Sequence, residues 1–314
     1  MSISSSLTPN LPARRWPEPR AMLRLIKPIT WFPPMWAFLC GLVSSGLSFS
    51  GHWGVAIVGI LLAGPVVCGM SQAANDWCDR FVDAINEPDR PIPSGRIPGR
   101  WGLWIALAMT VLSLAVGSLL GPWGFGATVV GVVAAWAYSA EPIRAKRSGW
   151  WGPGLCGLSY ETLPWFTGAA VLSAGAPSVP VIIIALLYGI GAHGIMTLND
   201  FKALEGDRQM GLNSLPVTLG PERAARLACW VMSVPHVVVI GLLAYWNHPW
   251  HALGVTAVLL AQMAAMRVLL RDPKAKAPWY NGTGIVFYIS GMMINAFALR
   301  TISDFAHSAT VGGM

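Results

Sequence analysis

Acidic and amide side chains recur at helical spacing near the end of the second apolar segment of the chain. Asn75, Asp79 and Asp83 follow one another every four residues, so a continuous helix would place them along one face. A second acidic group, with Asp200 and Asp207 seven residues apart, follows another long apolar segment. Carboxylates this close repel one another unless they are compensated, and Mg²⁺ prefers oxygen ligands. The pattern predicts two metal ions or one shared cluster at these five residues.

Basic residues surround both acidic groups and indicate which anion such a metal would bind. A Mg²⁺ ion held by few carboxylates completes its coordination with water and substrate phosphates, which favours a diphosphate ligand. The bases that could neutralise phosphate oxygens are Arg90, Arg96, Arg144, Lys146, Arg147, Lys202 and Arg208. The alternative interpretation of each base is a positive charge that sets the orientation of the protein in the membrane. The alternative interpretation of the acids is a solvated helix end. The four-residue spacing and the paired occurrence favour the binding site.

The elements that position these residues are predicted to be membrane helices. Of 314 residues, 54% are hydrophobic and 11% are charged, and the mean hydropathy is +0.54. Soluble domains carry roughly 25% charged residues. We therefore predict an all-α polytopic membrane protein. Apolar segments of spanning length lie at about 28–48, 53–75, 102–120, 122–140, 151–172, 178–198, 222–245, 250–270 and 282–302, which makes nine spans.

Lysine and arginine residues lie in every second connection between these segments, beginning with the N-terminal arm. Only Arg300 falls on the other side, and the positive-inside rule makes the basic side cytoplasmic. The prediction is a cytoplasmic arm over 1–27, a nine-helix transmembrane domain with cytoplasmic cap loops over 28–302, and a short non-cytoplasmic tail over 303–314. Both acidic groups then lie on the cytoplasmic side.

Both acidic groups belong to longer motifs that resemble those of a known family. The first is Asn75-x3-Asp79-x3-Asp83 followed by Asn86-Glu87-Pro88-Asp89-Arg90-Pro91-Ile92-Pro93-Ser94-Gly95. The second is Asn199-Asp200 with Glu205-Gly206-Asp207-Arg208 and Asn213-Ser214-Leu215-Pro216. Over nearly its whole length the chain is similar to the UbiA superfamily of intramembrane prenyltransferases. Three further segments resemble the chlorophyll and bacteriochlorophyll synthase branch of this superfamily. They are Lys27-Pro28-Ile29-Thr30-Trp31, Tyr138-Ser139 and the run from Leu212 to Gly220.

The resemblance implies a nine-helix bundle in which a geranylgeranyl or phytyl diphosphate is ionised at a Mg²⁺ cluster. In this branch the prenyl group passes to the propionate carboxylate of chlorophyllide or bacteriochlorophyllide, which completes (bacterio)chlorophyll biosynthesis. Carried over by motif, the metal ligands would be Asn75, Asp79, Asp83, Asp200 and Asp207, with the four aspartates catalytic. The implied diphosphate contacts are Arg90, Lys146, Lys202 and Arg208. The chain departs from some family members at Ala203, where they carry a further carboxylate.

Two ionisable residues lie within apolar segments, where such groups tend to face a cavity or a partner. His193 could ligate the central magnesium of a chlorin or bond to a neighbouring helix. Glu161 could line the acceptor pocket or form a hydrogen bond between helices. Both residues are candidates for a tetrapyrrole pocket, and the packing interpretations remain open.

The favoured function is a Mg²⁺-dependent prenyltransferase of this branch. Alternatives are the same chemistry on a quinone precursor or haem, a cation or metabolite transporter, and a non-catalytic pigment carrier. A transporter would need ionisable residues on both sides of the bilayer, whereas the non-cytoplasmic connections carry nearly none. Expected partners are the prenyl diphosphate, the (bacterio)chlorophyllide, the lipid bilayer and other pigment-biosynthesis proteins, with no nucleic acid. The expected location is an inner membrane, either cytoplasmic or intracytoplasmic photosynthetic.

Overall fold

A computed structural model describes residues 15–48, 50–209 and 211–311 of the chain, with residues 304–311 described by their backbone only. Most of the predicted arm at 1–27 and of the predicted tail at 303–314 therefore lies outside the described residues or side chains. The described chain is helical, and its one β-type contact is an isolated bridge between Ser148 and Asn213. This confirms the all-α fold class.

Eleven helices, numbered here in chain order, occur in the described ranges. They are α1 (Pro19–Leu25), α2 (Phe32–Ser44), α3 (Trp53–Asn86), α4 (Trp101–Ser118), α5 (Gly121–Ser139), α6 (Trp151–Gly157, Leu158–Thr162 and Leu163–Ser173), α7 (Val179–Gln209), α8 (Leu215–Leu219), α9 (Pro221–Tyr245), α10 (Pro249–Leu269) and α11 (Pro273–Val311). Short 3-10 turns lie at Pro28–Thr30 and Ala145–Arg147, and another lies within α7 at Asp200–Ala203.

Six helices of the described chain are long and apolar enough to cross a membrane, judged by length and composition. They are α3, α4, α7, α9, α10 and α11. The other predicted spans, 28–48, 122–140 and 151–172, correspond to α2, α5 and α6. Helix α2 has only 13 residues, and α5 and α6 contain many glycine, proline and aromatic residues. The predicted count of nine spans is therefore confirmed only in part.

Close helix packing holds the centre of the bundle together. A methyl group on Gly41 of α2 would collide with the backbone of α6 at Trp165, and one on Gly168 of α6 would collide with the backbone of α2 at Phe38. In lipid, where apolar surface drives little association, small residues stabilise helix pairs by allowing such close approach. The indole N–H of Trp165 also donates to the Ser44 hydroxyl at 3.0 Å. Helices α2 and α6 thus form a closely packed pair.

Two of the helices contain a π-helical segment, Leu62–Cys68 in α3 and Leu158–Thr162 in α6. Each has a proline as its local cause. Pro65 has no N–H for the carbonyl of Leu61, and Pro164 has none for the carbonyl of Tyr160, so the regular ladder is interrupted. Such segments turn side chains to new directions and are common at functional sites.

Three connections meet at one end of the bundle. The loop after α3 contacts the start of α1, where the amide of Glu18 donates to the carbonyl of Arg96 at 3.0 Å. The loop after α5 contacts the loop after α7, because the amide of Gly149 donates to the carbonyl of Asn213 at 2.9 Å. The ends of α3 and α7 also meet, since a methyl group on Gly206 would lie 3.6 Å from Nδ2 of Asn86. This end carries both acidic motifs.

Candidate active site

The regular last part of α3 places the first acidic motif along that helix, as its spacing predicts. Asp79 faces the loop after α5, where it accepts a hydrogen bond from Arg144 at 3.0 Å and another from Lys146. Lys146 lies in the 3-10 turn Ala145–Arg147, and Arg144 directly precedes this turn in the left-handed region at φ 39°. Burial lowers the pKa of the Lys146 ammonium, and the charge of Asp79 opposes this shift.

A second set of ion pairs lies one turn to either side of Asp79. Asp76 is only 2% exposed and accepts from Lys27 Nζ at 2.7 Å. Arg90 donates to Asp83 at 2.8 Å and to Asp76 at 3.4 Å. The same guanidinium binds Glu87 at 2.7 Å, and this hydrogen bond lowers the pKa of the Glu87 carboxyl. The motif is therefore held by bases from three connections, the segment after α1, the loop after α3 and the loop after α5.

The second acidic motif lies at the end of α7, where the helix tightens into a 3-10 turn at Asp200 and resumes at Leu204. Gly206, a possible helix breaker by sequence, lies inside the resumed helix. Asp207 is buried and Asp200 is partly buried. The two motifs lie close together, since a methyl group on Gly206 would lie 3.6 Å from Nδ2 of Asn86.

A cavity of about 690 Å³ extends from the acidic end into the bundle. Its polar end is formed by Lys27, Ser71, Gln72, Asn75, Asn199 and Lys202. Its deeper wall is largely apolar and includes Phe38, Leu62, Ala63, Val67, Leu163 and Ile285. Ile29 and Phe32 line the same cavity and are 89% and 49% exposed, so the wall is open to the surface there. The cavity suits a molecule with a polar head and a long apolar tail.

The candidate residues differ in how they relate to this cavity. Asn75, Lys202 and Glu161 line it, while Asp79, Asp83, Arg90 and Lys146 form the ion pairs beside its polar end. Arg208 is 61% exposed and lies 3.9 Å from Glu205. His193 is not among the lining residues; its Nδ1 lies 3.4 Å from the Thr197 hydroxyl, and its ring lies 5.5 Å from that of Trp150.

Some contacts at the site were not predicted from the sequence. Asp76 and Lys27 form a partly buried ion pair, and Lys27 also lines a second, polar pocket of about 530 Å³ together with Arg24 and Glu87. Tyr160 and Gln72 share a hydrogen bond of 2.9 Å in the cavity wall. The sequence places Asp76 one residue round the helix turn, as a possible fourth oxygen ligand, but gives no sign of its pairing with Lys27. Nothing in the spacing indicated that Tyr160 of α6 meets α3.

The donor atoms at this end suit a hard divalent cation. Oδ2 of Asp76 is buried without a hydrogen-bond partner among the described residues, and the amide side chains of Asn75 and Asn199 line the same cavity end. In the described chain, no three His, Cys, Asp or Glu side chains converge as a ready metal cluster. The acids of α3 instead face bases. Oxygen donors of this type match Mg²⁺, which keeps waters and anionic substrate in its shell.

The structure is an all-helical membrane bundle whose apolar cavity ends among paired acids and bases. This combination suits the class of integral membrane proteins that act on amphiphilic anions. Comparisons with known proteins narrow that class. Residues 31–292 match the model of the UbiA prenyltransferase family. The chain is 70% identical over 300 residues to the bacteriochlorophyll synthase 33 kDa chain of Cereibacter sphaeroides, covering 96% of this chain and 98% of that one.

Another relative and a solved structure agree with this result. The bacteriochlorophyll synthase 33 kDa chain of Rhodobacter capsulatus is 66% identical over 293 residues, covering 92% of this chain and 96% of the relative. The structure of a UbiA homolog from Archaeoglobus fulgidus bound to DMAPP and Mg²⁺ has a TM-score of 0.62 at 21% identity, covering 90% of this chain and 99% of that one. This protein belongs to the UbiA prenyltransferase family.

Proposed function

We propose that the protein transfers a geranylgeranyl or phytyl group from its diphosphate to the propionate carboxylate of chlorophyllide or bacteriochlorophyllide. The observation that carries this proposal is the cavity of about 690 Å³ whose polar end lies among the acid and base pairs of α3. The relatives named bacteriochlorophyll synthase, at 70% and 66% identity over nearly the whole chain, support the tetrapyrrole acceptor. The product would be the esterified pigment.

The bases at the polar end have a role that follows from their positions. A propionate is already ionised at neutral pH, because carboxylic acids of this kind have pKa values of roughly 4–5. The main barrier is the negative charge that develops on the leaving diphosphate, and positioned cations stabilise it. Lys202 lines the cavity, and Arg90 and Lys146 lie beside it in ion pairs that an incoming diphosphate can rearrange. Arg208 is exposed at the same end and completes the proposed set.

We propose Mg²⁺ as the cofactor. The residues that would hold it are Asn75, Asp79, Asp83, Asp200 and Asp207, with the buried Oδ2 of Asp76 as a further oxygen donor. When bound, Mg²⁺ supplies positive charge to the leaving diphosphate oxygens. The apolar wall of the cavity keeps water away from the reactive allylic carbon. Glu161 lines the same cavity and is proposed to contact the tetrapyrrole. A role for His193 in binding the tetrapyrrole stays a prediction.

The cellular placement follows from the charge pattern. We propose residues 28–302 as the membrane domain, between a cytoplasmic arm over 1–27 and a non-cytoplasmic tail over 303–314. The active-site end would face the cytoplasm, in an inner membrane that is either the cytoplasmic membrane or its photosynthetic extension. Pigment-biosynthesis proteins that supply the acceptor would then approach from the membrane or from the cytoplasmic end.

Mass spectrometry of reaction products tests the function directly. Purified full-length protein is supplied with Mg²⁺, geranylgeranyl or phytyl diphosphate, and one acceptor at a time: chlorophyllide, bacteriochlorophyllide, haem or a quinone precursor. The expected product is the prenyl ester of a chlorophyllide. Exclusive modification of haem or the quinone precursor would contradict the proposed acceptor. Pigment binding without consumption of either diphosphate would instead identify a carrier.

A further inference from the structure

A cluster of neutral polar side chains lies in the cavity wall, next to the charged end but separate from its ion pairs. We call Thr30, Cys68, Gln72 and Tyr160 the Tyr160 cluster. All four line the cavity. The Gln72 amide donates to the Tyr160 hydroxyl at 2.9 Å, and the Cys68 thiol lies 3.5 Å from the same oxygen. The Thr30 hydroxyl lies 3.4 Å from the Cys68 sulfur.

The hydroxyl of Tyr160 is left with one hydrogen to donate. Its oxygen accepts from Gln72 at 2.9 Å. The Cys68 thiol hydrogen can go to the Thr30 carbonyl at 3.4 Å, which leaves the Cys68 sulfur at 3.5 Å as a weak acceptor for the Tyr160 hydrogen that a carboxylate would displace. A phenol that accepts a hydrogen bond from a fixed amide is held in position and becomes a better donor, because hydrogen bonds in a chain polarise one another. The two π-helical segments create this arrangement. Cys68 ends the segment in α3, and Tyr160 lies within the segment in α6.

The Tyr160 cluster lies where the nucleophile, rather than the leaving group, would bind. Gln72 precedes Asn75 by three residues, which is roughly 4.5 Å along a helix toward the apolar part of the cavity. A diphosphate bound among Lys202, Arg90 and Lys146 would therefore have its first carbon near the Tyr160 cluster. Displacement requires the incoming oxygen to approach that carbon from the side away from the leaving diphosphate.

The chemistry of the cluster also fits a carboxylate. It has no charged member, whereas a diphosphate needs several cations and finds them at the polar end. A single carboxylate is matched by one or two neutral donors, and hydrogen bonds to it are stronger than those between neutral groups. A neutral donor also leaves the carboxylate nucleophilic, because no salt bridge has to be broken during attack.

Resting on the proposed prenyl transfer, we infer that the hydroxyl of Tyr160 binds the acceptor propionate and that Gln72 positions this hydroxyl. One carboxylate oxygen accepts from Tyr160 while the other forms the new bond to the first carbon of the prenyl chain. The bond from that carbon to the diphosphate oxygen breaks, and its electron pair leaves with the diphosphate. No proton is transferred, and charge is conserved.

Tyr160→Phe tests the inference because it removes one oxygen and keeps the ring. We expect the KM for bacteriochlorophyllide to rise about tenfold, which corresponds to roughly 1.4 kcal/mol. The KM for geranylgeranyl diphosphate should change less than twofold. Gln72→Met, similar in size, should shift the acceptor KM in the same direction by about threefold, since it acts through Tyr160.

The matched control is Tyr280→Phe. Tyr280 also accepts from a glutamine, because Gln262 donates to its hydroxyl at 3.1 Å, but it is not among the cavity-lining residues. This variant should leave both KM values unchanged. An equal rise in both KM values for Tyr160→Phe, or a rise for the diphosphate alone, would overturn the assignment in favour of a role at the leaving group or in packing.

A binding measurement separates this inference from the proposed function. Fluorescence titration without diphosphate compares bacteriochlorophyllide with its propionate methyl ester, which lacks the anionic acceptor. Wild-type protein should prefer the acid about tenfold, and Tyr160→Phe should lose the preference. Equal preference in both proteins refutes the role of Tyr160 even if turnover is normal. Absence of pigment esters from the wild-type assay refutes the proposed function instead.

Discussion

Arg90 is the residue that links most of the first acidic motif. Its guanidinium contacts Asp76, Asp83 and Glu87, which come from α3 and from the turn after it. The sequence predicts that Asn75, Asp79 and Asp83 share a face, because a four-residue spacing in a helix has that consequence. It does not predict that Lys27 and Arg144 would complete the charge balance, because those pairs join residues 49 and 65 positions apart.

We predict that Asp79 and Asp83 are essential for turnover. Asp79→Ala and Asp83→Ala should each lower kcat by about 100-fold or more, since loss of one electrostatic contact to a developing charge has effects of this order. Glu222→Gln, an acid in the first turn of α9, is the matched control and should retain activity within twofold. Near-normal Mg²⁺-dependent turnover in the two aspartate variants would show that the motif is not the metal site.

We also predict that removal of the metal abolishes activity. Treatment of the purified protein with EDTA should abolish prenyl transfer, and added Mg²⁺ should restore it, because the cluster of carboxylates repels the diphosphate unless a cation neutralises both. The measurement is the rate of pigment ester formation at fixed substrate concentrations. Full activity in EDTA would contradict the proposed cofactor, and the bases of the polar end would then have to stabilise the leaving group alone.

At the scale of elements, the hydrophobic pattern predicts the long helices well and their internal irregularities poorly. Spans near 53–75, 178–198 and 222–245 all appear as helices, because runs of apolar residues in lipid have few other stable forms. The segment at 282–302 is part of a helix that already begins at Pro273. The π-helical segments in α3 and α6 were not predicted, although Pro65 and Pro164 are their visible causes. Hydropathy does not report how a helix accommodates a proline.

The crossing of α2 and α6 provides a stability prediction. Gly41→Ala should lower the free energy of unfolding by about 2 kcal/mol, because the added methyl group meets the α6 backbone, which cannot move aside easily. Gly241→Ala in α9 is the control, since nothing lies within 4 Å of its added methyl group. Thermal unfolding of the detergent-solubilised proteins measures both. Equal stability of the two variants would mean that the crossing is looser than the structure indicates.

For the whole molecule, the two acidic motifs meet because the ends of α3 and α7 and the loops after α3, α5 and α7 lie at one end of the bundle. The alternation of basic connections predicted this common side, since lysine and arginine positions determine topology. It could not predict the pairing of particular loops, such as the Ser148 and Asn213 bridge. That pairing depends on packing between residues far apart in the chain.

Membrane orientation is testable with single cysteines. Ser94→Cys, in the loop after α3, should react with an impermeant maleimide in inside-out vesicles and be protected in right-side-out vesicles or intact cells. Ala176→Cys, in the connection before α7, should behave in the opposite way. Both positions are exposed, whereas four of the five native cysteines are buried. Labelling of both positions from the same side would contradict the proposed topology.

The gap in the cavity wall at Ile29 and Phe32 bears on donor choice. A prenyl chain that is too long for the cavity can extend through this gap among the acyl chains of the bilayer. The protein walls then do not limit the length of the prenyl chain. Discrimination between donors then depends on the first isoprene unit beside the diphosphate. Geranylgeranyl and phytyl diphosphates are identical in that unit and differ only in the saturation of the later units. We therefore expect the degree of tail saturation in the product to depend on which donor the membrane supplies.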